Sequence, residues 1–212
     1  MITLGRRYRH GARPFVVAVA CLLATTVFVV GCNPPAAPPP ATTTPPPQST
    51  QSPVERGKML VTFGGCHDCH SPKKYGPKGP EPDADRLLSG HPEGTTVDAS
   101  FKPAPGSSWI AATNEHFTAW SGPWGISFAA NLTPDPLTGL RSGVWTEELF
   151  IKALRTGKHM GTARDIQPPM PWQDIASLGD DDLKAIWAYL GTIPPIVNHV
   201  PKPVAPNGKP LE

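Results

Sequence analysis

Cys66-His67-Asp68-Cys69-His70 constrains this chain more than any other run in it. Two thiols three positions apart sit on one turn, and an imidazole follows at once. That spacing is the haem-attachment pattern: both thiols reach the two vinyl groups of one porphyrin, and the next residue faces the iron. Two other chemistries use the same residue types. A zinc knuckle needs a second ligand pair, yet the other cysteines, Cys21 and Cys32, lie upstream in or at the end of an apolar run. A redox dithiol needs a βαβ setting, which the surrounding sequence does not offer. Cys66 and Cys69 are therefore expected to form thioethers and His70 to bind the iron. His67, between the thiols, is expected at the surface.

A single haem also explains how so little periodic sequence can fold. Ser52 caps a first helix, with Pro53 at its opening position and Glu55 completing a capping box. Gly57, Leu60, Val61 and Gly64 share one face of it. Two glycines on a packing face cost helix propensity, so that face must meet something very closely. Thr146-Glu147-Glu148 starts another helix, carrying Leu149, Phe150, Ala153 and Leu154 as far as Gly157. Asp180 to Asp182 are expected to cap a last helix with the stripe Leu183, Ile186, Trp187 and Leu190, stopped by Gly191 and Pro194-Pro195. Residues 71–144 are rich in Pro and Gly with no sustained period. Three or four helices wrapped in loop make a small core, and a buried haem supplies its centre.

Upstream, Arg6, Arg7, Arg9 and Arg13 precede an apolar run over residues 15–30, the pattern of an export signal. Val29-Val30-Gly31-Cys32 reads as a lipobox, with Cys32 acylated as the new first residue. The rival is a retained anchor, but about 16 apolar residues fall short of the roughly 20 that a span needs. Residues 33–51 contain Pro, Thr, Ala, Gln and Ser, with no charge and no large apolar side chain, so they cannot offset the entropy of ordering. They read as a semi-rigid spacer of about 50–60 Å when extended. The implied organisation is a signal over 1–31, the lipidated cysteine and linker over 32–53, a folded domain over 54–200 and a tail over 201–212.

The formal charge of +2 comes from the leader; without it 15 basic residues face 17 acidic ones. A surface of that balance argues against nucleic acid as a partner.

The iron's other ligand is harder to read. Met59 is too near the attachment site to reach the opposite face. His91, His116, His159 and His199 are expected mostly at the surface. Met170 lies in Pro168-Pro169-Met170-Pro171-Trp172, where prolines stiffen the loop; a weak thioether ligand benefits from that preorganisation. Met160 has the glycines of Gly157-Lys158-His159-Met160-Gly161 around it instead. Met170 is favoured, with Met160 the alternative.

From residue 54 to 201 the sequence resembles class I cytochromes c. It is most similar to monohaem domains related to the cytochrome subunits of membrane-bound alcohol and sugar dehydrogenases. Glu55-Arg56-Gly57, the attachment run, Asn131-Leu132-Thr133-Pro134-Asp135 and Trp145-Thr146-Glu147-Glu148 carry the resemblance. So do Leu154-Arg155-Thr156-Gly157, Pro169-Met170-Pro171-Trp172 and Asp182-Leu183-Lys184-Ala185-Ile186. It implies an all-α fold in which the first and last helices cross beside one covalent haem c, with Met170 as distal ligand. Residues 71–130 then form a long loop-rich insertion. It further implies an electron carrier, not an enzyme, on the periplasmic side of a bacterial envelope, tethered to a membrane and serving redox partners such as a dehydrogenase or oxidase. A haem enzyme would need an open iron position, and a tethered haem sensor a weak distal ligand.

Overall fold

The computed structural model of the protein describes residues 51–98 and 106–212. The leader, Cys32 and nearly all of the linker lie outside the described residues. Among those described, no helix is long and apolar enough to cross a membrane.

Helix α1, Pro53–Phe63, begins as its sequence dictates. The Ser52 hydroxyl accepts from Glu55 N–H, and the Glu55 carboxylate accepts from Ser52 N–H at 2.9 Å. Its buried residues are Gly57 and Val61, and they face α5, Asp180–Leu190. A Cβ on Gly57 would lie 1.9 Å from the Ala185 carbonyl oxygen, so the two backbones are in direct contact. Gly64 does not share that packing. It is exposed and ends α1, its N–H bonding the Leu60 carbonyl at 2.8 Å. Arg56 crosses the junction of the two helices, gripping Asp182 through Nε at 2.7 Å and Nη2 at 3.0 Å.

Helix α2, Cys66–His70, follows directly; α3 spans Glu147–Thr156 and α4 Trp172–Ala176. Thr146 caps α3, and Gly157 ends it at φ +67°. A Cβ on Gly157 would strike the Trp172 ring at 2.5 Å, so glycine both turns the chain and makes room for Trp172. Helix α5 departs from expectation at its start. Gly179 is the N-cap, and Asp180 and Asp182 are spent on ion pairs with Arg155, at 2.5 Å, and Arg56. The buried stripe is Leu183, Ile186, Trp187 and Leu190 as expected; with Val61, Leu88, Leu140, Phe150 and Leu154 it forms the core.

The fold is not purely helical, and that expectation is corrected. Among the described residues, five helices are joined by two small antiparallel sheets, both within residues 71–130, where the sequence suggests only loop. Strand β1, Lys73–Gly76, pairs with β2, Gly79–Pro82. Strands β3, Ala112–Thr113, β4, Ala119–Gly122, and β5, Gly125–Phe128, form the second sheet in that order. The β1–β2 and β4–β5 hairpins turn on Gly-Pro-x-Gly: Gly76 pairs with Gly79 across Pro77-Lys78, and Gly122 with Gly125 across Pro123-Trp124. Proline presets the turn's φ, and the closing glycine takes φ +103° in one and +102° in the other. The strands are two to four residues long, too short to show an alternating period.

The final residues join this sheet. Val204 exchanges both backbone hydrogen bonds with Ile126, each 2.8 Å. Asn198, fully buried, donates to the carbonyls of Ser89 and His91 and accepts from Glu93 N–H and Arg86. All four of its side-chain bonds go to residues 86–93, so the C-terminal segment pins the insertion.

Candidate haem-attachment site

Gly65 opens α2 in the left-handed region at φ +65°, where a Cβ would meet the Asp68 carboxylate at 2.8 Å. The next five residues make a single turn of helix with Cys66, Cys69 and His70 on it. Its far end is capped from within the insertion: the Lys73 ammonium, buried, donates to the carbonyls of His67 at 2.9 Å, Asp68 at 2.9 Å and Ser71 at 2.6 Å. A five-residue helix leaves most of its carbonyls without partners, and a cation there satisfies them and opposes the helix dipole. Ser71, also buried, accepts from Leu88 N–H at 2.9 Å and contacts His67 Nδ1 at 3.2 Å. That contact holds His67 half-buried rather than at the surface, a correction to the sequence reading.

His70 is buried, and its Nδ1 lies 2.8 Å from the Ala130 carbonyl oxygen. A carbonyl can only accept, so Nδ1 carries the proton and Nε2 is left with its lone pair. Burial also holds the His70 pKa below the ordinary histidine value, which favours the neutral imidazole that metal ligation requires. Gly90 makes the arrangement possible: its N–H bonds the His70 carbonyl at 2.8 Å, and a Cβ on it would meet Ala130 carbonyl atoms at 2.6–2.7 Å.

The two thiols are free and half-buried. Burial pushes the Cys66 pKa up to about 11 and raises that of Cys69, with neighbouring acidic groups adding to both. Protonated thiols are the reverse of the low-pKa thiolates of redox dithiols. Among the described residues, no three His, Cys, Asp or Glu side chains converge to hold a metal ion. Two thiols and an imidazole with a free Nε2 on one helical turn do fit haem c.

Of the candidates for the other ligand, Met170 is half-buried and packs against the core cluster that Cys66 also touches. Met160 is half-buried in a 3-10 turn, His159–Gly161, at φ +52°. His91, expected at the surface, is fully buried with both ring nitrogens engaged, by Thr118 Oγ1 at 3.0 Å and the Thr95 carbonyl at 3.2 Å. Neither nitrogen is free for iron. Met59 and His199 are exposed, and His116 Nδ1 is tied to the Lys73 carbonyl. Lys73, Gly90 and Ala130 do not stand out in the sequence. Only Gly90 carries a signal there, a glycine just before a histidine in a loop.

The comparisons with known proteins point to the same chemistry as the thiols and the imidazole. No protein-family model matches the chain. The cytochrome c subunit of alcohol dehydrogenase (quinone) from Gluconobacter oxydans is 39% identical over 87 residues, 41% of this chain and 16% of that protein. The gluconate 2-dehydrogenase cytochrome c subunit of Pantoea cypripedii is 29% identical over 144 residues, 67% of this chain and 23% of that one. The fructose dehydrogenase cytochrome subunit of Gluconobacter japonicus is 36% identical over 89 residues, covering 42% and 18%. The chain thus spans less than a quarter of the length of these relatives. Its similarity to cytochrome subunits of dehydrogenases agrees with the resemblance read from its motifs, and the relatives' names accord with a carrier rather than a catalyst.

Proposed function

We propose that the chain carries single electrons through one haem c, attached at Cys66 and Cys69 and ligated by His70 and Met170. The observation that carries this reading is His70, whose hydrogen bond to the Ala130 carbonyl fixes the ring and leaves Nε2 as the free donor atom. When bound, the haem supplies a ferric/ferrous couple. His70 and Met170 would hold the iron between them and leave no position for a substrate, and a thioether in place of a second imidazole would raise the potential. Thioethers at Cys66 and Cys69 would fix the haem to α2, and His70, buried and bonded to Ala130, would keep its ring in place. A dehydrogenase is the proposed electron donor, because the relatives are named as subunits of such enzymes.

The test is a pyridine haemochrome assay combined with intact mass and a redox titration. One haem per chain, resistant to acid-acetone and following a one-electron curve, is expected. Extractable haem, or a second equivalent, overturns the reading.

The tether is a second part of the proposal. Cys32 is acylated and holds the domain to a membrane on the periplasmic side, with the proline-rich linker letting it reach partners. Cys32→Ser is expected to release the cytochrome from washed membranes or to block its processing. A variant that fractionates and matures like wild type shows that Cys32 is not an anchor.

A further inference from the structure

The loop bearing Met170 is short of backbone donors. Pro168, Pro169 and Pro171 have no N–H, so between Gln167 and Trp172 only three residues can donate. Within the loop, Met170 N–H bonds the Gln167 carbonyl at 3.3 Å and Trp172 N–H the Met170 carbonyl at 2.9 Å. A loop built this way must be anchored through its carbonyls, by donors from elsewhere.

One such donor comes from the insertion. The Ser127 hydroxyl on β5 donates to the Pro168 carbonyl at 2.5 Å. Ser127 is 6% exposed, and its oxygen accepts from Trp124 Nε1 at 3.3 Å, which leaves its one hydrogen for Pro168. The strand beneath is held on both edges, by β4 and by Val204 of the C-terminal segment. Gly125 lets that segment come close, since a Cβ there would sit 1.9 Å from the Val204 carbonyl oxygen. Three residues beyond Ser127, Ala130 supplies the carbonyl that orients His70.

We propose that Ser127 is a positioning residue for Met170, and that residues 127–130 brace both axial ligands from one short stretch of chain. This rests on Met170 as the distal ligand. The brace gives the insertion a role: it stabilises the bond between the thioether and the iron by restraining the loop when that bond breaks.

The experiment uses the ferric holoprotein. At saturating imidazole, the rate at which the added ligand replaces methionine equals the rate at which Met170 leaves the iron. Ser127→Ala is expected to raise that limiting rate about tenfold, the factor that corresponds to about 1.4 kcal/mol. Ser127→Thr, which keeps the hydroxyl, is expected to stay within about twofold of wild type on the same scale. A merely structural role would lower the denaturant midpoint and leave the limiting rate unchanged; that result overturns the proposal. If Ser127→Ala gives no folded haem protein, Trp124→Phe, which removes the bond holding the hydroxyl, carries the test with a smaller rise. An unchanged rate there overturns it equally. The ligand assignment fails separately, if the Met–iron(III) absorption band survives Met170→Ala.

Discussion

Replacing Met170 by alanine is expected to abolish the long-wavelength Met–iron(III) absorption band and open the iron to water or cyanide. Alanine leaves no donor at that position, and the prolines on either side prevent the loop from bringing another one in. Cyanide affinity is expected to rise by roughly two orders of magnitude, the factor for losing a ligand that contributes about 3 kcal/mol. Met170→His is expected to keep the iron closed and to lower the potential, because imidazole favours the ferric state more than a thioether does. Met160→Ala is expected to change neither property. Optical spectra, cyanide titration and potentiometry on the three variants check all of this. A band lost in the Met160 variant and kept in the Met170 variant reverses the assignment.

Gly57→Ala is expected to be among the most damaging single changes outside the site. In an open helix this substitution gains about 1 kcal/mol. Here the added carbon lies 1.9 Å from the Ala185 carbonyl oxygen and 2.8 Å from Tyr189 Cβ. The obstacle is backbone, which no change of rotamer relieves, so α1 and α5 must separate and loosen the core around Val61 and Leu183. Overpacking of this kind costs about 3 kcal/mol or more, a net loss of at least roughly 2 kcal/mol. For a domain of this size the melting temperature should fall by about 4–8 °C. Gly179→Ser supplies the contrast. Nothing lies within 4 Å of a Cβ there, and Gly179 caps α5 without a side-chain hydrogen bond. A serine hydroxyl should therefore leave stability unchanged or raise it by a few tenths of a kcal/mol. Thermal melts of the two holoproteins check the pair.

The three longer helices, α1, α3 and α5, were legible because each is announced locally, whereas α4 lies where the prolines suggest a loop. Ser52 with Glu55, Thr146 with Gly157, and the stripe from Leu183 to Leu190 all act within one or two turns of themselves. The run from Cys66 to His70 stands out for the same reason, since its pattern is written in five consecutive positions. What surrounds them was not. His91 reads as a surface histidine, yet its partners Thr118 and Thr95 come from loops that no period announces. His67 is drawn inward by Ser71, which is itself fixed by Leu88 seventeen positions on. Gly-Pro-x-Gly marks two of the hairpin turns in the sequence, but strands this short carry no alternation to announce them. Asp180 to Asp182 supply the expected first-turn charge of α5, but the cap is Gly179, and Asp180 and Asp182 pair with the distant Arg155 and Arg56.

The pinning of the insertion by Asn198 and Val204 has a consequence in time. A chain is made from its first residue to its last, so Cys66 and Cys69 emerge well over a hundred residues before the segment that closes the sheet behind Ala130. Until Asn198 arrives, the carbonyls of Ser89 and His91 have water as their partner, and β5 has one bare edge. The thiols therefore spend the interval on a chain that cannot yet shut around them. In the order of synthesis, Asn198 and Val204 are the residues that complete the insertion's hydrogen bonds behind Ala130.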